Sequence, residues 1–145
     1  MRSIILVVML LLFPVVIFSD ADEISGIWFT EDEKGKVKIY KENGRYHGEI
    51  FWMDNIGEEG GPPENDIKNP DPEKRGRKLV GLRILKNFKY DNKDDQWVDG
   101  EIYDPRSGKT YSSKLELKDK GKILEVRGYI GLPLFGKSQE WKRAE

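Results

Sequence analysis

From Gly26 to the C-terminus, apolar and polar residues alternate in short runs bounded by turn formers, and no stretch of helical length carries the three-four apolar spacing of a helix. In Lys36–Lys41, Val37 and Ile39 share one face and Lys36 and Lys38 the other. The pattern predicts strands around Gly26–Phe29 and over 36–41, 46–53, 79–85, 96–103, 110–117, 122–130 and 137–143. Asn43-Gly44 has the chemistry of a tight hairpin, while Asp104-Pro105-Arg106-Ser107-Gly108 and Lys118-Asp119-Lys120-Gly121 read as reversals between antiparallel neighbours. In the third strand Gly48, Ile50 and Trp52 are expected on one face, with His47 on the opposite face as a surface side chain. About eight short hairpin-linked strands predict an all-β fold, a small antiparallel up-and-down barrel, because closure removes the exposed edges that make open sheets aggregate. A two-sheet sandwich is the alternative.

One segment breaks the alternation. Asp54 to Lys78 carries Gly60-Gly61-Pro62-Pro63 and Asn69-Pro70-Asp71-Pro72, which no strand accommodates. A connection of this length is expected to be a functional lid near the barrel mouth or a disordered excursion. Its acids Asp54, Glu58, Glu59, Glu64 and Asp66 lack the regular spacing of a calcium loop, so a solvated acidic loop is expected.

The first residues follow another logic. Met1-Arg2-Ser3 leads into an apolar run from Ile4 to Phe18, interrupted only by Pro14, and Ser19-Asp20-Ala21 follows with small residues at the spacing of an export cleavage site. The run falls short of the roughly 20 residues that span a bilayer core. Residues 1–21 are therefore expected to be a signal peptide cleaved near Ala21, and 22–145 a single periplasmic or secreted domain with no stable membrane anchor. The chain has no cysteine, so no disulfide and no lipid acceptor is expected. Its 25 basic and 26 acidic residues are interspersed, without the basic stripe that a nucleic-acid partner requires.

Candidate chemistry is sparse. His47 is the single histidine and has no cysteine to complete a zinc site, so neither metal nor cofactor is expected. Glu49, Asp99, Glu101 and Asp104 are the carboxylates from which a glycosidase-type pair could be drawn, though Asp104 has a simpler role in opening a turn. Aromatic residues dominate the strands, and Trp52, Trp97, Tyr103, Tyr111 and Tyr129 are the candidate walls of an interior pocket. Gly48, Gly81, Gly100 and Gly128 mark bulges or bends and leave room inside for a guest. The leading reading is a non-catalytic binder of a small apolar or amphipathic ligand. The alternatives are an envelope protein-protein module with a filled core, docking through the apolar loop Ile130–Phe135, and a carboxylate-dependent hydrolase of envelope glycans or lipids.

Several motifs together carry a resemblance: Gly26-x-Trp28, Asn69-Pro70-Asp71, Leu79-Val80-Gly81-Leu82, the run from Trp97 and Gly100 through Ile102-Tyr103-Asp104-Pro105 to Ser107-Gly108-Lys109-Thr110-Tyr111, Val126-Arg127-Gly128-Tyr129, and Trp141-x-Arg143. Over the chain from Gly26 onward they resemble the bacterial DUF2147 family, which implies an exported single domain and supplies no activity. A looser likeness, to lipocalins, rests on Gly26, Trp28 and Arg143. It implies a barrel whose first and last strands are latched by the guanidinium over the indole.

Overall fold

The computed structural model describes residues 3, 10–13 and 20–145, so most of the expected signal peptide lies outside the described residues. The rest forms a closed antiparallel barrel of eight strands in sequence order: β1 (Gly26–Phe29), β2 (Gly35–Glu42), β3 (Arg45–Met53), β4 (Arg83–Asp91), β5 (Gln96–Asp104), β6 (Lys109–Lys118), β7 (Ile123–Tyr129) and β8 (Lys137–Arg143). Every strand pairs with its sequence neighbour, and β1 returns to β8 through Trp28 opposite Arg143 and Phe29 opposite Lys142. Asn43 and Gly44 both take positive φ, the geometry of the tight primed hairpin turn.

Seven of the strands lie where alternation places them. The fourth does not: Leu79 to Leu82 is a turn, with Gly81 at φ +90°, and pairing resumes only at Arg83. The displaced strand was masked by bulges. Between Tyr46–Phe88 and Gly48–Leu85 the register slips by one residue, and Asn87 takes φ +64° to absorb it. A second slip follows between Gly48 and Glu49, a third between Trp97 and Gly100 puts Asp99 at φ +60°, and a fourth sets Lys36 opposite Trp52 but Val37 opposite Ile50. The last rotates Trp52 off the face it was expected to share with Ile50. Trp52 is 39% exposed on the outer wall, while Met53, opposite Gly35, packs against the core.

The core is the barrel interior. Trp28, Leu85, Phe88, Trp97, Leu115, Leu124 and Trp141 are essentially inaccessible. Gly48 and Gly100 serve this filling and do not make room for a guest, whereas Gly128 leaves space for a Cβ at ordinary contact distance from Ile102 and Tyr111. A Cβ on Gly100 would stand 2.4 Å from the Phe88 ring, and one on Gly48 would stand 2.9 Å from Leu85.

One end is sealed. A 3₁₀ helix over Asp20–Ile24 tucks under the barrel, with Ala21 and Ile24 buried. Two indoles bond to its backbone: Trp28 Nε1 donates to the Ile24 carbonyl at 2.9 Å and Trp97 Nε1 to the Ala21 carbonyl at 3.1 Å. The Tyr46 hydroxyl donates to the Asp22 carboxylate, and burial together with that bond pushes the phenol well above its ordinary pKa. Arg143 completes the seal, its guanidinium 4.2 Å from the Trp28 ring centroid and donating to the carbonyls of Gly121, Ser25 and Glu23 at 2.9, 3.1 and 2.5 Å.

Ala21 thus belongs to the seal, although cleavage after it would remove it. A chain beginning at Asp22 leaves the Trp97 indole N–H without its acceptor, a loss of about 1–3 kcal/mol. Urea denaturation should show it less stable by that amount than a chain beginning at Asp20. Equal midpoints would mean that the 3₁₀ helix contributes nothing through Ala21.

Candidate functional site at the open end of the barrel

The end opposite the seal carries the β1–β2 turn, the long segment between β3 and β4, the Asp104–Lys109 turn and the loop between β7 and β8. Inward positions there are only half-buried. Met53, Leu82 and Ile102 pack on the upper side of the core, and Tyr111 pairs with Ile102 across β5 and β6. Gln139, opposite the inward Val126, accepts the indole N–H of Trp141 at 3.1 Å. One step below Tyr111 on the same face lies Ser113, flanked across the sheet by Gly100 and Gly128. Its hydroxyl is fully buried and finds no hydrogen-bond partner in the protein. Buried hydroxyls are nearly always paired, so Ser113 is an exception on the inner wall of the open end. The sequence carried the signal: a serine stands at an inward position in the alternating run Tyr111-x-Ser113-x-Leu115-x-Leu117.

The five aromatic residues expected to line a pocket do not gather. Tyr111 alone stands at the mouth. Trp97 faces inward but near the sealed end, stacked at 5.1 Å from Tyr90 and edge-on to Tyr46 at 6.5 Å. Trp52 is outside, with the Lys36 ammonium 5.6 Å from its ring. Tyr129, opposite the outward Ser112, is also on the outer face. So is Tyr103, opposite the exposed Thr110. These three are corrections to the expected interior set: single-residue bulges shift the facing of Trp52 and Tyr103, while Tyr129 faces outward by plain alternation from Leu124 and Val126.

Tyr103 is buried from the outside by the long segment, which is not a lid over the mouth; Asp54, Glu58, Glu59 and Glu64 are solvated as expected, but Asp66 is not. The segment runs down the outer wall of β4 and β5, pinned by a bridge between Asn65 and Lys78 and a short 3₁₀ helix over Pro72–Lys74. Its anchor is Asp66, 1% exposed, which accepts from the Tyr103 hydroxyl at 2.6 Å, Asn69 Nδ2 at 2.9 Å and Arg77 Nε at 3.1 Å. Burial opposes ionisation of this carboxyl, yet the bonds from Tyr103, Asn69 and Arg77 outweigh it and hold the pKa below the usual value. Burial and the same bond push the Tyr103 phenol up to about 12. Between segment and wall lies a cleft of about 200 Å³, bordered by Lys74, Lys86, Glu101 and Thr110. Glu101 and Asp99 are exposed, and Asp104 sits in its turn, where Oδ1 accepts from the Arg106 backbone N–H at 3.0 Å. Among the described residues no three His, Asp or Glu side chains gather as a metal site would need.

His47 occupies the expected outer face but is not a surface side chain. It is 5% exposed, and Nδ1 accepts the Asn87 backbone N–H at 3.2 Å, the donor that the β4 bulge would otherwise leave unpaired. Tyr40 covers it at 6.0 Å between ring centroids. Burial, followed by the nearby Arg83 guanidinium, pushes the imidazole below its ordinary pKa.

Comparison with known proteins places this geometry. The sequence model of DUF2147, described as an uncharacterized protein conserved in bacteria, matches residues 26–143. A solved structure titled as protein HP1028 from the human pathogen Helicobacter pylori, said there to belong to the lipocalin family, has the same barrel fold. Its TM-score is 0.71 at 24% identity, over 84% of this chain and 83% of that one. No curated protein matches the sequence.

Two outcomes follow from the buried polar groups. An unfolded histidine takes up a proton near pH 6.5, about its ordinary pKa, whereas folded His47 resists to lower pH, so stability is full above that value and falls as pH drops toward the folded pKa. His47→Ala should lower stability by about 1–3 kcal/mol at neutral pH by orphaning the Asn87 N–H. It should also remove that part of the acid-side decline in urea midpoint, and an unchanged slope would mean that His47 is protonated in the fold. For Asp66→Asn, the segment over 54–82 should be cut by trypsin at least several-fold faster than in the parent, with the barrel's circular dichroism retained. Equal cutting rates would show that the anchor lies elsewhere.

Proposed function

We propose, starting from the fact that the chain belongs to the DUF2147 family, that this barrel is an exported, non-catalytic binder of a small apolar or amphipathic molecule held at its open end. The observation that carries this reading is the buried, unpartnered Ser113 hydroxyl beneath the half-buried wall of Tyr111, Ile102 and Met53. Apolar walls with one or two polar groups suit a ligand that has an apolar body and a single polar handle. The seal of Trp28, Arg143 and the Asp20–Ile24 helix leaves the opposite end as the route in. With the lower barrel filled by side chains, the guest is short, or only its head enters. The lipocalin-type fold supports the same reading by analogy of architecture. Export rests on the leader pattern of the first 21 residues, and a periplasmic or secreted site of action follows from it.

Titration with the fluorescent apolar amine phenylnaphthylamine tests the placement. Tyr111→Ala should weaken binding about tenfold, roughly 1.4 kcal/mol, and Ser113→Val should weaken it by a similar factor. Trp52→Ala, on the outer wall, should leave it unchanged. Loss with Trp52→Ala but not with Tyr111→Ala would put the site outside the barrel. A native mass spectrum of protein taken from its own host without refolding would then identify the natural ligand as a stoichiometric adduct.

A further inference from the structure

The loop joining β7 to β8 departs from the rest of the surface. Ile130, Leu132, Leu134 and Phe135 are 75%, 63%, 79% and 74% exposed, four large apolar side chains within six residues of a chain that is 35% charged. Scattered exposed apolar residues need no account, whereas a contiguous exposed set marks an interaction surface.

Its backbone is tied to the barrel by hydrogen bonds. Arg127, on the outer face of β7, folds under the loop: Nε donates to the Pro133 carbonyl at 2.7 Å, Nη2 to the carbonyls of Gly136 at 3.2 Å and Leu134 at 3.4 Å, and Nη1 to Ser138 Oγ at 2.8 Å. A short 3₁₀ turn over Pro133–Phe135 adds Phe135 N–H to the Leu132 carbonyl at 3.0 Å and Gly136 N–H to the Pro133 carbonyl at 3.2 Å. Pro133 has no N–H to satisfy. The carbonyls of Leu132, Pro133, Leu134 and Gly136 are therefore paired within the protein, with the apolar side chains turned away from it.

We infer that this loop is a membrane-insertion tip that docks the open end of the barrel on a lipid bilayer. Hydrocarbon offers no donors, so the pairing of these four carbonyls within the protein lowers the cost of bringing the tip against lipid. The charge pattern agrees. From Arg127 to Gln139 there is no acidic residue, and the charges are Arg127 and Lys137, one on each limb of the loop. Tyr129 stands at the base, between cations and tip. Apolar tip, aromatic base and flanking cations form the order that the interface of an anionic bilayer demands with depth. The inference is independent of any ligand at the mouth.

The test uses the chain from Asp20 onward, which contains every strand and the seal and lacks the apolar leader, in co-sedimentation with vesicles of phosphatidylglycerol and phosphatidylethanolamine. The parent should pellet with them and bind pure phosphatidylcholine vesicles more weakly. Paired substitution Leu134→Asp and Phe135→Asp, at positions without core contacts, should reduce binding at least tenfold with an unchanged near-ultraviolet spectrum. Lys137→Glu should reduce it by about fivefold or more, the effect of removing one interfacial cation. Three results would overturn the inference: a parent that stays in the supernatant, a paired variant that still pellets, or a parent that self-associates without lipid and is made monomeric by the same pair. The last would assign the tip to a second copy of the chain. Phenylnaphthylamine binding by the paired variant separates this test from the mouth site, since it should be retained.

Discussion

The barrel depends on a short seam. β1 has four residues, and only two of them, Trp28 and Phe29, pair with β8, whereas β2 and β3 pair along their whole length. A seam this brief would open and expose two edges to other chains. Arg143 compensates by stacking on Trp28 while reaching three carbonyls from two other segments, so that β1, the N-terminal 3₁₀ helix and the β6–β7 turn are tied to one side chain. The residues after β8 add to it, with Ile27 exchanging backbone bonds with Ala144 and Glu145. A lysine could supply the charge there but not a planar fork that stacks and donates in several directions.

Once the seam is closed, the interior must be filled from a fixed circumference, and here the glycines matter. Gly100 has no side chain because the Phe88 ring occupies that volume, and Gly48 yields likewise to Leu85. Small residues on one strand therefore admit large ones from the next. The same exchange explains why the chain's aromatic richness did not translate into an aromatic cavity. Trp28, Trp97 and Trp141 are spent on sealing and filling, and each indole N–H is bonded within the protein.

Seven of the eight strand positions, the hairpin turns and the closing pair were legible in the sequence because each has a local signature: two-residue alternation, Asn-Gly or Pro-Gly chemistry, and the Gly-x-Trp opening. Facing was less legible. A bulge adds one residue to one strand and inverts everything beyond it, as at Trp52, while leaving alternation on both sides intact. Asn87 and Asp99, which carry two of the other slips at positive φ, are residue types that tolerate that conformation but occur in many other places. Asp66 was unreadable for a different reason. Nothing local separates a carboxylate that will be buried under Tyr103 and Arg77 from its solvated neighbours, because its partners are 37 and 11 residues away.

The two ends of the barrel thus have opposite characters, and the difference bears on where function lies. At the sealed end polar groups are matched: indole N–H to carbonyl, guanidinium to carbonyls, phenol to carboxylate. At the open end the matching stops, with a buried hydroxyl unpaired at Ser113 and four apolar side chains projecting from the β7–β8 loop. Both features oppose stability, since an orphaned hydroxyl and exposed apolar surface are each unfavourable in water. Yet Arg127 makes four bonds to hold that loop in its exposed form. A hydrogen-bonded support for an unfavourable arrangement fits a surface shaped for something other than water, and its position beside the mouth is why both the proposed guest site and the proposed lipid contact are placed at the open end.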